Sequence, residues 1–201
     1  MVHARTAGQP KKVYRALRDM GTGYLQFIPC LDPLEGSPQA WSLQPEAYGR
    51  FLCGVFDCWE EDWRRGQYVS IRQFEDWVRM AAGLPPDTCA SCGACGSYLV
   101  AEADGSLYPC DFYALDAWRL GDVDTPLTEV MGCERMLAFR RRALRKPDAC
   151  AVCRFLYLCR GGCPRNWSGT GGLHNTLCSA YCMFFTYAEE RLREMARLLR
   201  S

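Results

Sequence analysis

The stretch CAVCRFLYLCRGGCP, residues 150–164, sets Cys150, Cys153, Cys159 and Cys163 within fifteen residues and closes them with two glycines and a proline. Four thiolates at such spacing complete either a zinc tetrahedron or a cubane iron–sulfur cluster. The fold turns on whether this run surrounds one metal centre or serves two, and its own spacing permits both.

Outward from it, the cysteines form two groups. One is Cys89-x2-Cys92-x2-Cys95-x14-Cys110; the other continues the opening run through Cys178, with Cys182 four residues beyond. A C-x2-C pair puts two sulfurs on one small loop, near enough to share a metal without strain, and both groups begin with such a pair. Structural zinc usually combines two short pairs, whereas here the later cysteines are single and spread, which leans toward clusters. Cys30, Cys53, Cys58 and Cys133 stand alone and read as free thiols; His3 and His174, the only histidines, read as loop or surface residues.

The rest of the composition narrows the setting. No signal-peptide core and no run of about 18 apolar residues is present, so the chain reads as cytoplasmic, with no membrane partner. Fourteen cysteines in a reducing compartment hold metal more readily than seven disulfides. Lys and Arg number 24 against 23 Asp and Glu, and a net charge of +1 gives no field for nucleic acid. The basic run Arg140, Arg141, Arg142, Arg145, Lys146 reads as a solvated helix face.

Periodicity supplies the scaffold. Val13, Tyr14, Leu17 and Met20 give a helix over 8–20 that stops at Gly21, and GYLQFIP (23–29) a strand, with Val2-His3-Ala4 the frayed tail of another. A proline- and glycine-rich loop, residues 30–42, leads to helices over 44–65 and 70–83. Tyr48, Phe51, Leu52, Val55, Phe56 and Trp59 share one face of the first; Phe74, Trp77, Val78 and Ala81 share one face of the second. Beyond residue 85 the pattern changes. SYLVAEADGSLYPCDF is a hairpin turning on Asp104-Gly105, residues 126–146 look helical, and TYAEERLREMARLLR ends the chain as an amphipathic helix.

The order CxxCxxC…DGSLYPCDF…LGDV…CxxCxxxxxCRGGCPRNW…LCxxYxxFF resembles the SPASM region of radical S-adenosylmethionine enzymes, most closely that of the anaerobic sulfatase-maturating enzymes. YLQFIPCLDPL and PEAYGRFLCGVFDCW resemble the segment joining that family's barrel to its cluster domain. The resemblance implies an α+β fold. Residues 1–30 would be the last helix and strand of an incomplete TIM-like barrel, 31–85 a helical linker, 86–185 a two-cluster domain and 186–201 a terminal helix.

It also implies two [4Fe–4S] clusters, one on Cys89, Cys95, Cys110 and Cys163, the other on Cys150, Cys153, Cys159 and Cys178. Cys92 and Cys182 fall outside that pattern. In two-cluster ferredoxins the last cysteine of a compact run, the one before proline, ligates the other cluster; Cys163 precedes Pro164, and Gly161 and Gly162 let the backbone turn away before it. Asp111 matches the family's proposed general base, and Gln26 a position facing the S-adenosylmethionine or substrate pocket.

The family oxidises a cysteine or serine of a sulfatase to formylglycine. Its 5′-deoxyadenosyl radical takes a Cβ hydrogen, the base a proton and an auxiliary cluster an electron. The C-x3-C-x2-C motif that binds S-adenosylmethionine has no counterpart in these residues. Three expectations follow: the C-terminal part of a longer maturase-like enzyme acting on a peptide only in its full-length form; a freestanding two-cluster electron-transfer or peptide-binding module working with a separately encoded barrel; or a zinc-stabilised interaction domain.

Overall fold

The computed structural model describes residues 1–34, 37–169 and 172–199. Glu35 and Gly36 of the expected connecting loop, and Arg200 and Ser201 of the expected terminal helix, lie outside the described residues.

Pairing begins at once. Val2 N–H donates to Ile28 O at 2.8 Å and its carbonyl accepts from Cys30 N at 2.7 Å, a parallel bridge to Pro29. His3 caps a short helix, α1 (Ala4–Ala7), so the strand expected at residues 2–4 reduces to Val2. Helix α2 (Pro10–Asp19) buries Tyr14, but Met20, expected on the inner face, is its exposed C-cap. The strand expected over 23–29 keeps only β1 (Tyr24–Leu25) and the bridge at Pro29. After α3 (Pro45–Arg64) comes β2 (Ser70–Ile71), which pairs parallel with β1 in the register Tyr24↔Ser70. β2 takes the first two residues of the helix expected from 70, and α4 (Arg72–Ala81) follows. β-branched Ile71, 1% exposed, suits a strand facing the core.

The second half is built from short pieces. One-turn α5 (Cys89–Cys92) stops at Gly93, whose φ of 68° gives the left-handed C-cap. The expected hairpin forms from β3 (Val100–Ala101) and β4 (Ser106–Tyr108), antiparallel with Val100↔Tyr108, and Asp104 Oδ1 accepts from Ser106 N at 2.9 Å in the turn. A third strand, β5 (Gly121–Asp122), pairs with β4. The helix expected over 126–146 is two, α6 (Leu127–Gly132) and α7 (Glu134–Leu144), broken where Cys133 is extended at ψ 152°. Then come α8 (Leu156–Cys159), a hairpin of β6 (Trp167–Ser168) and β7 (His174–Asn175), and α9 (Cys178–Leu198). Two-residue strands carry no alternation to read, which is why β5, β6 and β7 were not anticipated.

Helix α9 starts eight residues before its charged pattern does. Ala180, Phe184, Ala188 and Leu192 continue its buried stripe N-terminally, and that stripe packs on α3 and α4. Phe184 lies 5.5 Å, centroid to centroid, from Phe74, 4.6 Å from Trp77 and 5.4 Å from Phe56. Each such buried side chain contributes about 1.5–3 kcal/mol, more than the helix propensities at stake. A Cβ on Gly49 would stand 2.9 Å from Met183 Sδ and 3.1 Å from Ala180 Cα, so glycine permits the close crossing. One continuous core therefore runs from Val2 to Ala196, on both sides of residue 85.

Candidate metal centres

Three segments deliver sulfurs to the first cavity, lined by Cys89 and Cys95 of one short stretch, by Cys110 and by Cys163. Cys89 opens α5, whose N-terminus is tied to α4. The carboxylate of Asp76, 1% exposed, accepts from Asp87 N at 2.7 Å and Thr88 N at 3.1 Å, and also from the Thr88 hydroxyl. Cys110 follows β4, placed by the hairpin. Tyr113 and Phe139 close the apolar wall, backed by Trp118 and by the Arg142 guanidinium 4.9 Å over the Tyr113 ring. Arg140 donates to Gly96 O at 3.1 Å. Two arginines of the basic run thus touch the site's wall, half-buried Arg140 through its hydrogen bond and Arg142 over the ring while still exposed to water. Cys92 points elsewhere: it is exposed, with Sγ 3.5 Å from Pro86 O.

Beside this cavity stands a polar triad. Tyr98 Oη donates to Asp111 Oδ1 at 3.1 Å and lies 3.4 Å from Cys110 Sγ, while the Cys110 thiol donates to the same carboxylate oxygen at 3.2 Å. Asp111 begins a 3₁₀ turn (Asp111–Tyr113) without capping it. Its exposed carboxylate is aimed at Tyr98 and Cys110 instead.

The second cavity is lined by Cys150, Cys153, Cys159 and Cys178, and also by Cys182. Leu156, Tyr181 and Phe185 complete its walls, so the aromatic stripe of α9 carries both the core contact and the last sulfurs.

Between Cys159 and Cys163 three residues in succession are left-handed, Arg160 (φ 50°), Gly161 (φ 89°) and Gly162 (φ 66°). Arg160 is the only non-glycine with positive φ among the described residues. Gly161 O accepts from Trp167 Nε1 at 2.8 Å and Asn175 Nδ2 at 2.9 Å, and a Cβ on Gly162 would stand 2.7 Å from that Asn175 nitrogen. This turn sends Cys159 to one cavity and Cys163 to the other.

Burial raises thiols in both sets. Desolvation pushes Cys159 and Cys163 up to about 12 and Cys95 up to about 11, and Cys89, Cys110 and Cys150 in the same direction. Such thiols ionise only when a cation holds the thiolate, so the donor chemistry suits a bound metal group. Among the described residues no three His, Cys, Asp or Glu side chains gather closely enough for one metal ion. The sulfurs ring a space instead.

Gln26 lines neither cavity. It is exposed in an open cleft with Tyr24, Arg72 and Glu75, along the β1–β2 pair. Sequence reading singled out neither Asp76 nor Tyr98; both sit inside ordinary helix and strand patterns.

Comparison with known proteins places these features. Residues 89–154 match the SPASM family, an iron–sulfur cluster-binding domain. The cysteine-type anaerobic sulfatase-maturating enzyme of Clostridium perfringens (strain 13 / Type A) is 37% identical over 202 residues, covering 98% of this chain and 55% of the relative. The serine-type anaerobic sulfatase-maturating enzyme of Klebsiella pneumoniae is 30% identical over 199 residues, covering 98% of this chain and 49% of that protein. The solved structure of native anSMEcpe with bound AdoMet superposes with a TM-score of 0.91 at 37% identity, over 98% of this chain and 55% of that one. A second, with bound AdoMet and Cp18Cys peptide, gives a TM-score of 0.91 at 37% identity, over 98% and 56%. The chain spans about half the length of the curated relatives it matches.

Proposed function

We propose that this chain, homologous over nearly its whole length to the anaerobic sulfatase-maturating enzymes and carrying a SPASM iron–sulfur cluster-binding domain, holds two [4Fe–4S] clusters beside a peptide-oxidising site. The observation that carries the reading is the partition of the thiols. Cys89, Cys95, Cys110 and Cys163 ring one cavity; Cys150, Cys153, Cys159 and Cys178 ring the other. Sulfurs spread around a space suit a polynuclear group better than a single zinc, which draws its four ligands to about 2.3 Å.

When bound, such clusters supply one-electron acceptors of tunable potential. The chain's own residues do the rest. Asp111 is the general base, taking the proton released as the substrate Cβ is oxidised, and Tyr98 orients its carboxylate through the 3.1 Å hydrogen bond. The substrate is a sulfatase peptide whose cysteine or serine becomes formylglycine. S-adenosylmethionine cleavage belongs to the radical S-adenosylmethionine half of the reaction, since none of these cysteines is spaced C-x3-C-x2-C, and Gln26 faces that cofactor's side. The setting is cytoplasmic; no helix among the described residues is long and apolar enough to cross a membrane.

Anaerobic iron and sulfide analysis tests the reading. About eight irons and eight sulfides per chain are expected. Cys95→Ala should halve both and Cys92→Ala leave both unchanged. Two zincs without sulfide, or equal iron loss from both variants, would overturn it.

A further inference from the structure

The second cavity holds one thiol more than a cubane has corners. Cys178 and Cys182 lie one helical turn apart on the same face of α9, their sulfurs 4.0 Å apart, and both line the cavity with Cys150, Cys153 and Cys159. Thiolates serving different corners of a cubane each point outward along their own diagonal, so they stand farther apart than adjacent turns hold these two. Cys150, Cys153 and Cys159 reach the cavity from other segments; the Cys182 thiol also lies within hydrogen-bond reach of Cys153, but Cys153 belongs to the short loop it shares with Cys150, whereas Cys178 shares the helix face of Cys182. Standing one turn apart on one helix face, Cys178 and Cys182 are the pair placed to reach the same corner.

Resting on the cluster reading above, we propose that Cys178 and Cys182 are interchangeable ligands to one corner of the second cluster. Either alone completes the four-thiolate set, and the spare thiol waits beside the iron. An exchange breaks one Fe–S bond and forms another; the incoming thiol gives up a proton as the outgoing thiolate takes one, so neither charge nor oxidation state changes. The helix supports both positions. Cys178 is its first residue, after a turn in which Leu177 N donates to Asn175 Oδ1 at 2.8 Å, and Cys182 stands one turn in, between Tyr181 and the buried stripe. The first cavity has no such spare, because Cys92 is exposed and turned to Pro86 O.

The test is anaerobic reconstitution of the full chain with iron and sulfide analysis and electron paramagnetic resonance of the reduced protein. Cys178→Ala and Cys182→Ala should each keep about eight irons, the former with an altered spectrum of the second cluster. The double variant and Cys150→Ala should each fall to about four. If either single variant falls as far as the double while the other stays full, one cysteine is the sole ligand and the exchange is wrong. Alkylation of the loaded wild-type chain, read by mass spectrometry, does not depend on how the variants fold. Label divided between Cys178 and Cys182, one per molecule, supports the exchange, and label confined to either one overturns it. A wild-type chain that takes up neither iron nor sulfide would defeat the cluster reading itself, and the exchange with it.

Discussion

The two cavities use the same donors and differ in everything around them. The first collects sulfurs from three segments, two of them fixed by a carboxylate on α4 and by a hairpin, and has an exposed carboxylate and a phenol at its rim. The second is assembled mostly from one compact run and one helix, with apolar walls and no acid among its lining residues. The contrast teaches that thiolates determine what can be bound, while the neighbouring side chains determine which site meets a substrate. One thiol of the first cavity touches an exposed carboxylate, Asp111, whereas the second has no carboxylate among its lining residues.

The sharpest way to break the comparison is Asp111→Asn. In an assay that supplies the S-adenosylmethionine-cleaving half, aldehyde formation should fall by at least ~10²-fold with iron content unchanged; retained turnover would remove the functional difference between the cavities. Next in size is Cys163→Ala, which should empty the first cavity and leave the second loaded. Iron would fall to about half, and the surviving spectrum would be that of a single cluster. Loss of both clusters would mean that the compact run is one site after all.

Asp76→Ala tests whether the first cavity depends on the distant linker helix. Two backbone N–H groups and one hydroxyl lose their acceptor, so the melt should show a cost of about 1–3 kcal/mol, with iron lost from the first site only. The smallest effect is shared. Burial raises Cys159, in the second cavity, and Cys163, in the first, from about 9 to about 12. Raised thiols favour the folded state below the ordinary thiol range and lose that contribution as pH climbs through the window of about 9 to 12. Thermal melts of the iron-free chain should therefore fall across that window, while the loaded chain, with thiolates already held by metal, should not follow.

Much of this was legible residue by residue. The aromatic faces at 44–65 and 70–83 follow the helical period, and Tyr48, Phe51, Leu52, Val55, Phe56 and Trp59 are all buried. Asp104-Gly105 turns its hairpin with Gly105 at φ 83°. The glycines before Cys163 take the positive φ that a turn away requires. The start of α9 was hidden because its first turns, CSAYCMFFTY, read as cysteines and aromatics rather than as an amphipathic repeat. Charge runs usually read as solvated, and Arg141, Arg142 and Arg145 are exposed; the carbonyl of Gly96 holds half-buried Arg140, and Arg142 also lies over the ring of Tyr113.

By itself, the sequence determined the number and spacing of the thiols and the helical and hairpin segments that carry them, a spacing that leans toward clusters over zinc. Those are local properties, set by intervals of two, three or four residues. Only the tertiary structure decided which sulfurs share a cavity, that Cys92 turns away, that Cys182 turns in, and that Tyr98 and Asp76 serve the first site. Convergence on one cavity of residues as far apart as Cys89 and Cys163 needs the packing of α3, α4 and α9, and no local interval encodes it.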